Sequence, residues 1–378
     1  MELKSGTMES MVDFKTLFGG VYQNKKVLIT GYTGFKGSWL SYWLKMLGAE
    51  VYGYALAPPS NPNHFRLLDF NITEKEGDIR DYKTLSAFLI DVQPEIVFHL
   101  AAQALVRASY DDPIETYSTN VMGTLHLFEA CKKIESLKAI VNITSDKCYE
   151  NKEWVWGYRE NDPMGGFDPY SSSKGCSEIL TTSFRNSYFN ISDYGKTHNV
   201  LLGSARAGNV IGGGDWAKDR LLPDIIKAAS INSSVFIRNP NATRPWQHVL
   251  EPLSGYLTLG WRLLEGKKEF AEGWNFGPNI DCNLTVAEIV NISKPYWESI
   301  SVEYKQSQAY AHEANLLMLD CPKSNKVLNW KPVWNINDTI EKTINWYKNF
   351  YLSSSINTQN DIFEYIIKAK KSELIWTI

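Results

Sequence analysis

The 378 residues carry 39 Lys and Arg against 42 Asp and Glu, a formal charge of -3 spread along the chain, which leaves no cationic footprint for nucleic acid or an anionic membrane. Five widely spaced cysteines without a CxxC pair, Cys131, Cys148, Cys176, Cys282 and Cys321, argue against a disulfide framework or a thiolate zinc site, and no metal site is expected. Met1 to Lys15 lacks the apolar core of a signal peptide and no run of about 18 apolar residues occurs, so the expectation is a cytoplasmic protein with a small-molecule substrate.

Lys25 to Thr30 is an apolar run that ends in a glycine turn, and Ser38 to Leu47 follows with apolar residues at helical spacing. A strand at Glu50 to Tyr54, a helix near Tyr82 to Leu89, a strand at Glu95 to His99, a helix near Thr116 to Lys133 and a strand at Lys138 to Thr144 continue the alternation. Tyr170 to Phe184 reads as a long helix and Val200 to Ala205 as a buried strand. Strands alternating with helices predict an α/β protein with a Rossmann-type, doubly wound parallel sheet. Past Ala205 the alternation gives way to glycine- and proline-rich loops, which predicts a smaller α+β lobe for the substrate. The polar stretch Ser353 to Asp361 reads as a linker to a terminal helix from Ile362 onward.

Gly31-Tyr32-Thr33-Gly34-Phe35-Lys36-Gly37 is a GxxGxxG turn between strand and helix. Glycines let backbone amides approach a pyrophosphate, and the helix offers its positive end to the anion. Asp78 stands where a carboxylate could accept a hydrogen bond from an adenine amine; the alternative is a helix cap for the segment from Asp81. The second strand ends without a carboxylate or an arginine for the ribose, so this rule leaves NAD against NADP open.

Tyr170 and Lys174 are four residues apart, which puts phenol and ammonium on one helical face. A lysine and a positive nicotinamide ring both favour the phenolate, which can take a hydroxyl proton as hydride leaves. Ser145, Asp146 and Lys147 follow a strand's carboxyl end, where open α/β sheets keep their ligand crevice. They read either as hydroxyl donor, general acid and general base, or as an ion pair closing the strand. Arg244 suits phosphate oxygens, or is a surface residue of a proline-bounded loop. His248, in an aromatic loop, reads as structural.

Gly31 to Gly37, His99-Leu100-Ala101-Ala102-Gln103, Thr119 to Thr124 and Tyr170 to Lys174, in this order, resemble the extended short-chain dehydrogenases/reductases that act on nucleotide sugars. Thr33 to Leu40, Ser145 to Asn151, Gly212 to Ala217 and Arg244 to Pro252 narrow the resemblance to their dehydratase group, from about Phe14 to Tyr347. The dTDP-glucose and GDP-mannose members are similar in placing Asp-Glu after the hydroxyl residue, whereas Asp146-Lys147 resembles the branch that takes CDP-glucose. Tyr32 departs from the family's His and Ser145 from its frequent Thr.

The resemblance implies NAD as cofactor, held by Gly31, Thr33, Gly34, Phe35, Lys36, Gly37, Asp78, Ile79, Leu100, Ala101, Ala102, Gln103, Asn120, Tyr170 and Lys174. It implies catalysis by Ser145, Asp146, Lys147, Tyr170 and Lys174, and a nucleotide sugar bound by Asn209, Trp216, Arg220 and Arg244. It further implies a cofactor domain over 14-205 with a segment returning near 245-275, a sugar-nucleotide lobe from 206-244 and 276-350, a tail over 351-378, and a homodimer paired through two helices. A 4-epimerase or dehydrogenase of the same fold is the first rival, which Asp146 and Lys147 argue against; a non-catalytic dinucleotide sensor is the second, opposed by Ser145, Tyr170 and Lys174.

Overall fold

The computed structural model describes residues 12-304 and 316-378. Seven strands, β1 (Lys26–Thr30), β2 (Glu50–Ala55), β3 (Thr73–Glu76), β4 (Ile96–His99), β5 (Ala139–Ile143), β6 (Leu201–Arg206) and β7 (Gly273–Asn275), form one sheet in the order β3-β2-β1-β4-β5-β6-β7. Every neighbouring pair runs parallel. Strand order reverses between β1 and β4, which opens a crevice beyond their carboxyl ends. The central strands are buried along nearly their whole length, as the continuous apolar runs of β1, β4 and β5 require when helices cover both faces.

Helix α1 (Phe35–Met46) follows the glycine turn, and α2 (Tyr82–Val92) starts at Asp81, whose side chain accepts the amides of Lys83 and Thr84. The helix expected near Thr116 to Lys133 is compound: Pro113–Tyr117, a π-turn at Ser118–Met122, then α3 (Gly123–Cys131). A π-turn widens the helix locally and recurs at functional sites. Helix α4 (Pro169–Ser187) begins with Asp168 accepting the amide and hydroxyl of Ser171, and with proline at its first position, where no amide is needed.

Beyond β6, three two-stranded ribbons join distant segments: Val210–Ile211 with Gln247–His248, Thr243–Pro245 with Asn283–Thr285, and Ser234–Ile237 with Ser301–Tyr304. Helix α5 (Leu221–Ser230) packs beside the last ribbon, while α6 (Leu250–Leu264) lies buried against β5 and β6.

The carboxyl-terminal stretch differs from its reading as a linker. Helix α7 (Ile336–Ser353) runs through Ser353, and α8 (Thr358–Lys371) begins four residues before Ile362, so only 354-357 connect them. Ser353, Ser354, Ser355 and Gln359 are exposed, while Thr358 and Asp361 are buried beside Trp346, Tyr347, Ile362, Phe363 and Tyr365. Trp376 lies inside the core, stacked on Phe18 at 5.1 Å and edge-on to Trp43 at 5.9 Å. Trp376→Ala should cost roughly 3–5 kcal/mol of unfolding free energy, read as a lower urea midpoint; an unchanged midpoint would place the tail outside the folding core.

Candidate functional site

The glycine turn is shaped by what a side chain would strike. A Cβ on Gly37 would stand 2.1 Å from the Gly31 carbonyl oxygen, so α1 can start this close to β1 only without one. Gly31, at φ +74°, turns tightly against the backbone of Ala101, where a Cβ would approach to 2.7 Å. Gly34 has just 3.3 Å to the same Gly31 oxygen, and Thr33 donates its hydroxyl to the Leu56 carbonyl. Tyr32 turns inward rather than into the crevice, with its hydroxyl on Glu74 at 2.9 Å.

Around the crevice the groups expected to hold a dinucleotide are themselves fixed. The Thr30 hydroxyl receives the Ala101 amide, and the Leu100 amide continues the ladder to Thr30. His99 bridges Thr30 and Thr124 through its two ring nitrogens; burial lowers it to about 3, so the ring is neutral. Asn120, buried in the π-turn, exchanges two hydrogen bonds with the Gln103 backbone and donates to Ser173 of α4. The loop holding Leu100 to Gln103 is thus tied to the helix of Tyr170. Ile79 lies under Gly123, where a Cβ would meet it at 2.6 Å. Asp78 does not cap α2, a role Asp81 fills; its carboxylate is clasped by Arg80 at 2.6–3.0 Å, which holds it below the usual carboxylate range.

A cleft of about 650 Å³ opens beside this crevice, lined by Phe35, Lys36, Ser145, Asp146, Lys147, Tyr170, Asn209, Arg220 and Arg244 among others. The chemistry-bearing residues expected from the sequence therefore meet on one surface, with two exceptions. Lys174 lies behind Tyr170 one helical turn on, and Trp216 turns away from the cleft. The Trp216 indole donates to Tyr351 and packs between Trp346, Tyr347 and Phe350, because apolar burial in that aromatic cluster outweighs exposure to the cleft.

Asp146 is 1 % exposed, with Oδ1 receiving the Ser145 hydroxyl at 2.9 Å and Lys147 Nζ at 3.3 Å. Its Oδ2 finds no hydrogen-bond partner among the described residues. Gly208 makes room for that carboxylate, since a Cβ there would fall 1.9 Å from Oδ2. Ser145 also hydrogen-bonds Tyr170; burial pushes the phenol up to about 12, against the pull of Ser145 and of the Arg220 charge. Burial brings Lys174 down to about 8, while Glu178 favours its ammonium form. Lys36 is brought to about 7 by burial and then by the charges of Lys174 and Arg220; its amine faces the Tyr256 hydroxyl at 3.4 Å.

Sequence reading missed Glu178, which continues the Tyr170, Lys174 face at the same four-residue interval. Fully buried, it receives Thr144 and Ser204 hydroxyls and pairs with Arg206 at 2.8 Å. Burial alone would raise it, and Arg206 and the hydroxyls hold it low instead. Arg206 also reaches the Tyr149 hydroxyl, which donates to Asn275 of β7.

The family model described as GDP-mannose 4,6 dehydratase matches residues 28–343. The chain belongs to that family. It is a hydro-lyase on a nucleotide-binding Rossmann fold. It is 54% identical to the CDP-glucose 4,6-dehydratase of Salmonella typhimurium over 329 residues, 86% of this chain and 91% of that protein. In fold it is similar to the epimerase Mth375 of Methanothermobacter thermautotrophicus, with TM-score 0.75 and 23% identity over 87% of this chain and 94% of that one. It is also similar to the dTDP-glucose 4,6-dehydratase DesIV of Streptomyces venezuelae, solved with NAD bound, with TM-score 0.72 and 21% identity over 86% and 97%.

Loss of the Glu178 charge should lower Lys174 further, because the carboxylate is what favours the ammonium. If Lys174 must be protonated to support a Tyr170 phenolate, kcat falls as pH rises through about 8. Glu178→Gln should then move that alkaline limb to lower pH in the kcat profile; an unmoved limb would detach Lys174 from the rate.

Proposed function

We propose that this chain converts CDP-D-glucose to CDP-4-dehydro-6-deoxy-D-glucose and water, in the cytoplasm, with NAD bound, toward deoxysugars of surface polysaccharide. The observation that carries the reading is the Asp146-Lys147 pair beside Ser145 and Tyr170, an acid and an amine that hydride transfer alone does not need. The 54% identity to a CDP-glucose 4,6-dehydratase supports the nucleobase and sugar. Residues 14-205 with the return near 245-275 are the proposed cofactor domain, and 206-244 with 276-350 the lobe for the nucleotide sugar. Gly31, Thr33, Gly34, Phe35, Lys36, Gly37, Asp78, Ile79, Leu100, Ala101, Ala102, Gln103 and Asn120 are the proposed cofactor residues, together with Tyr170 and Lys174. The cradle of Gly31, Gly34 and Gly37 at the start of α1 suits a pyrophosphate.

NAD would accept the hydride from C4 and return it at C6, so none is consumed. Tyr170, with Ser145 on its hydroxyl, takes the proton of the C4 hydroxyl as that carbon is oxidised. The C4 ketone acidifies the C5 hydrogen. Lys147 takes that proton as an amine, and Asp146 gives one to the departing C6 oxygen, which leaves as water.

Asp146 and Lys147 stand 3.3 Å apart on the wall of one cleft, so the proposed acid and base face the same part of a bound sugar. Arg220 and Arg244 on the cleft wall, with Asn209, are the proposed ligands for the diphosphate and sugar.

A homodimer is the proposed assembly. Ile114 at 81%, Met122 and Ile179 are exposed on the segments around the π-turn and on α4, an apolar face polar residues would be expected to fill on a monomer. Ile114→Asp should shift sedimentation equilibrium toward monomer, and a monomeric parent protein would end this part of the reading.

The primary assay is mass analysis after incubation with CDP-glucose, dTDP-glucose, GDP-mannose and UDP-glucose separately. Loss of one water from CDP-glucose alone is the expected result, and unchanged mass with all four would overturn it. Lys147→Ala should still oxidise C4, leaving absorbance at 340 nm after CDP-glucose is added, but release no dehydrated product. Product formation at the parent rate would remove Lys147 as the base.

A further inference from the structure

The loop Gly213-Gly214-Asp215 is held from three directions. Trp39 of α1 donates its indole N–H to the Gly213 carbonyl at 2.9 Å. The His64 ring leaves 2.6 Å for a Cβ on Gly214, which sits at φ +84°, and Trp346 of α7 leaves 2.0 Å for one on Gly213. These clamps are themselves joined. His64 bonds Ser38 of α1 through Nδ1 and Thr358 of α8 through Nε2, at 2.7 and 2.8 Å, and Thr358 also receives the Trp346 indole at 3.0 Å. Burial lowers His64 to about 3, so the bridge is made by a neutral ring and persists across the physiological range.

Tyr347 is where this frame reaches the cleft. Its hydroxyl donates to the Asp215 carbonyl at 2.5 Å and accepts the Asp215 amide at 2.9 Å, so a single phenol holds both backbone groups of one residue. The Asp215 side chain then has a fixed origin. Its Oδ1 accepts the Ala217 amide at 3.0 Å, and Oδ2 holds Arg220 Nη1 at 2.8 Å. Arg220 lies on the cleft wall, one third exposed, and its charge is felt by Tyr170 and Lys36. Five N–H donors fan out from a guanidinium, and the direction they present to a ligand is set by where its carboxylate partner is anchored.

We propose that Tyr347 is a positioning residue for the nucleotide sugar: by pinning Asp215 it fixes the direction in which Arg220 meets the anionic or hydroxyl-bearing part of the ligand. The carboxyl-terminal helices thereby set substrate affinity without touching substrate. Tyr347 falls four residues beyond the span matched to the family model. The proposal rests on the reading of Arg220 as a ligand-facing residue of the cleft.

Tyr347→Phe removes the hydroxyl and keeps the buried ring. It should raise KM and the calorimetric Kd for CDP-glucose about tenfold, the size expected for losing hydrogen bonds to one residue, with kcat within about twofold. A purely structural role would lower kcat and the melting temperature and leave that split unseen. The effect should also vanish when Arg220→Met is already present, because both changes act on one contact. Asp215→Asn, which keeps the backbone bonds to Tyr347 but weakens the hold on Arg220, should reproduce the rise in KM and serves if Tyr347→Phe does not fold. An unchanged Kd, or effects of Tyr347→Phe and Arg220→Met that add, would overturn the proposal. Should the parent protein release no water from CDP-glucose, the dehydratase reading fails, while the Kd comparison, made with whichever of the four nucleotide sugars binds, still decides the role of Tyr347.

Discussion

Glu178 and Arg206 form a buried ion pair on which the geometry of the whole site depends. The carboxylate joins α4 to β5 through Thr144 and to β6 through Ser204, and the guanidinium passes the connection to Tyr149 and thence to Asn275 of β7. A buried pair of this kind is not chiefly a source of stability, because desolvation offsets most of its attraction. What it supplies is a fixed relation between the helix of Tyr170 and Lys174 and the strand ends on which Ser145, Asp146 and Lys147 stand. Asn120 makes the matching connection on the other side, between α4 and the loop after β4. The helix of Tyr170 and Lys174 is therefore held from both flanks by buried polar groups whose partners are specified.

The charge distribution in the cleft follows from that rigidity. Lys36, Lys147 and Arg220 share the cleft with Asp146, and Asp215 is committed to Arg220. Burial lowers the proton affinity of both buried lysines, and the charges of Lys174 and Arg220 add to it at Lys36, which leaves Lys36 at about 7 and Lys174 at about 8. The site is thus poised to hold an anionic ligand and to exchange protons near neutral pH. Asp146 is sealed beneath Gly208, with Oδ1 on Ser145 and Lys147 and Oδ2 without a hydrogen-bond partner among the described residues.

Much of this was legible in the sequence. The strand and helix periods placed β1, β2, β4, β5 and β6 within a residue or two, because strands covered on both faces must be apolar throughout. The glycine turn and the Tyr170, Lys174 spacing were readable because each is a local geometric demand. Trp216 misled, since a tryptophan in a glycine-rich loop looks available to a ligand until the aromatic partners from α7 are in place. The stretch Ser353 to Asp361 misled similarly, because its polar residues divide between a short exposed connection and buried groups such as Thr358, whose partners come from distant segments.

The sequence by itself determined the elements, their order, the glycine cradle and the residue types able to move protons. All of these are properties of neighbours a few positions apart, where backbone geometry alone fixes who faces whom. Tertiary structure decided that Glu178 backs Lys174, that Asp78 is taken by Arg80, that Trp216 leaves the cleft, and that Tyr347 reaches across 132 residues to Asp215. Those relations depend on burial and on contacts between segments far apart in the chain. Proton affinities and side-chain directions are set by what surrounds a group in space, and no local spacing encodes that.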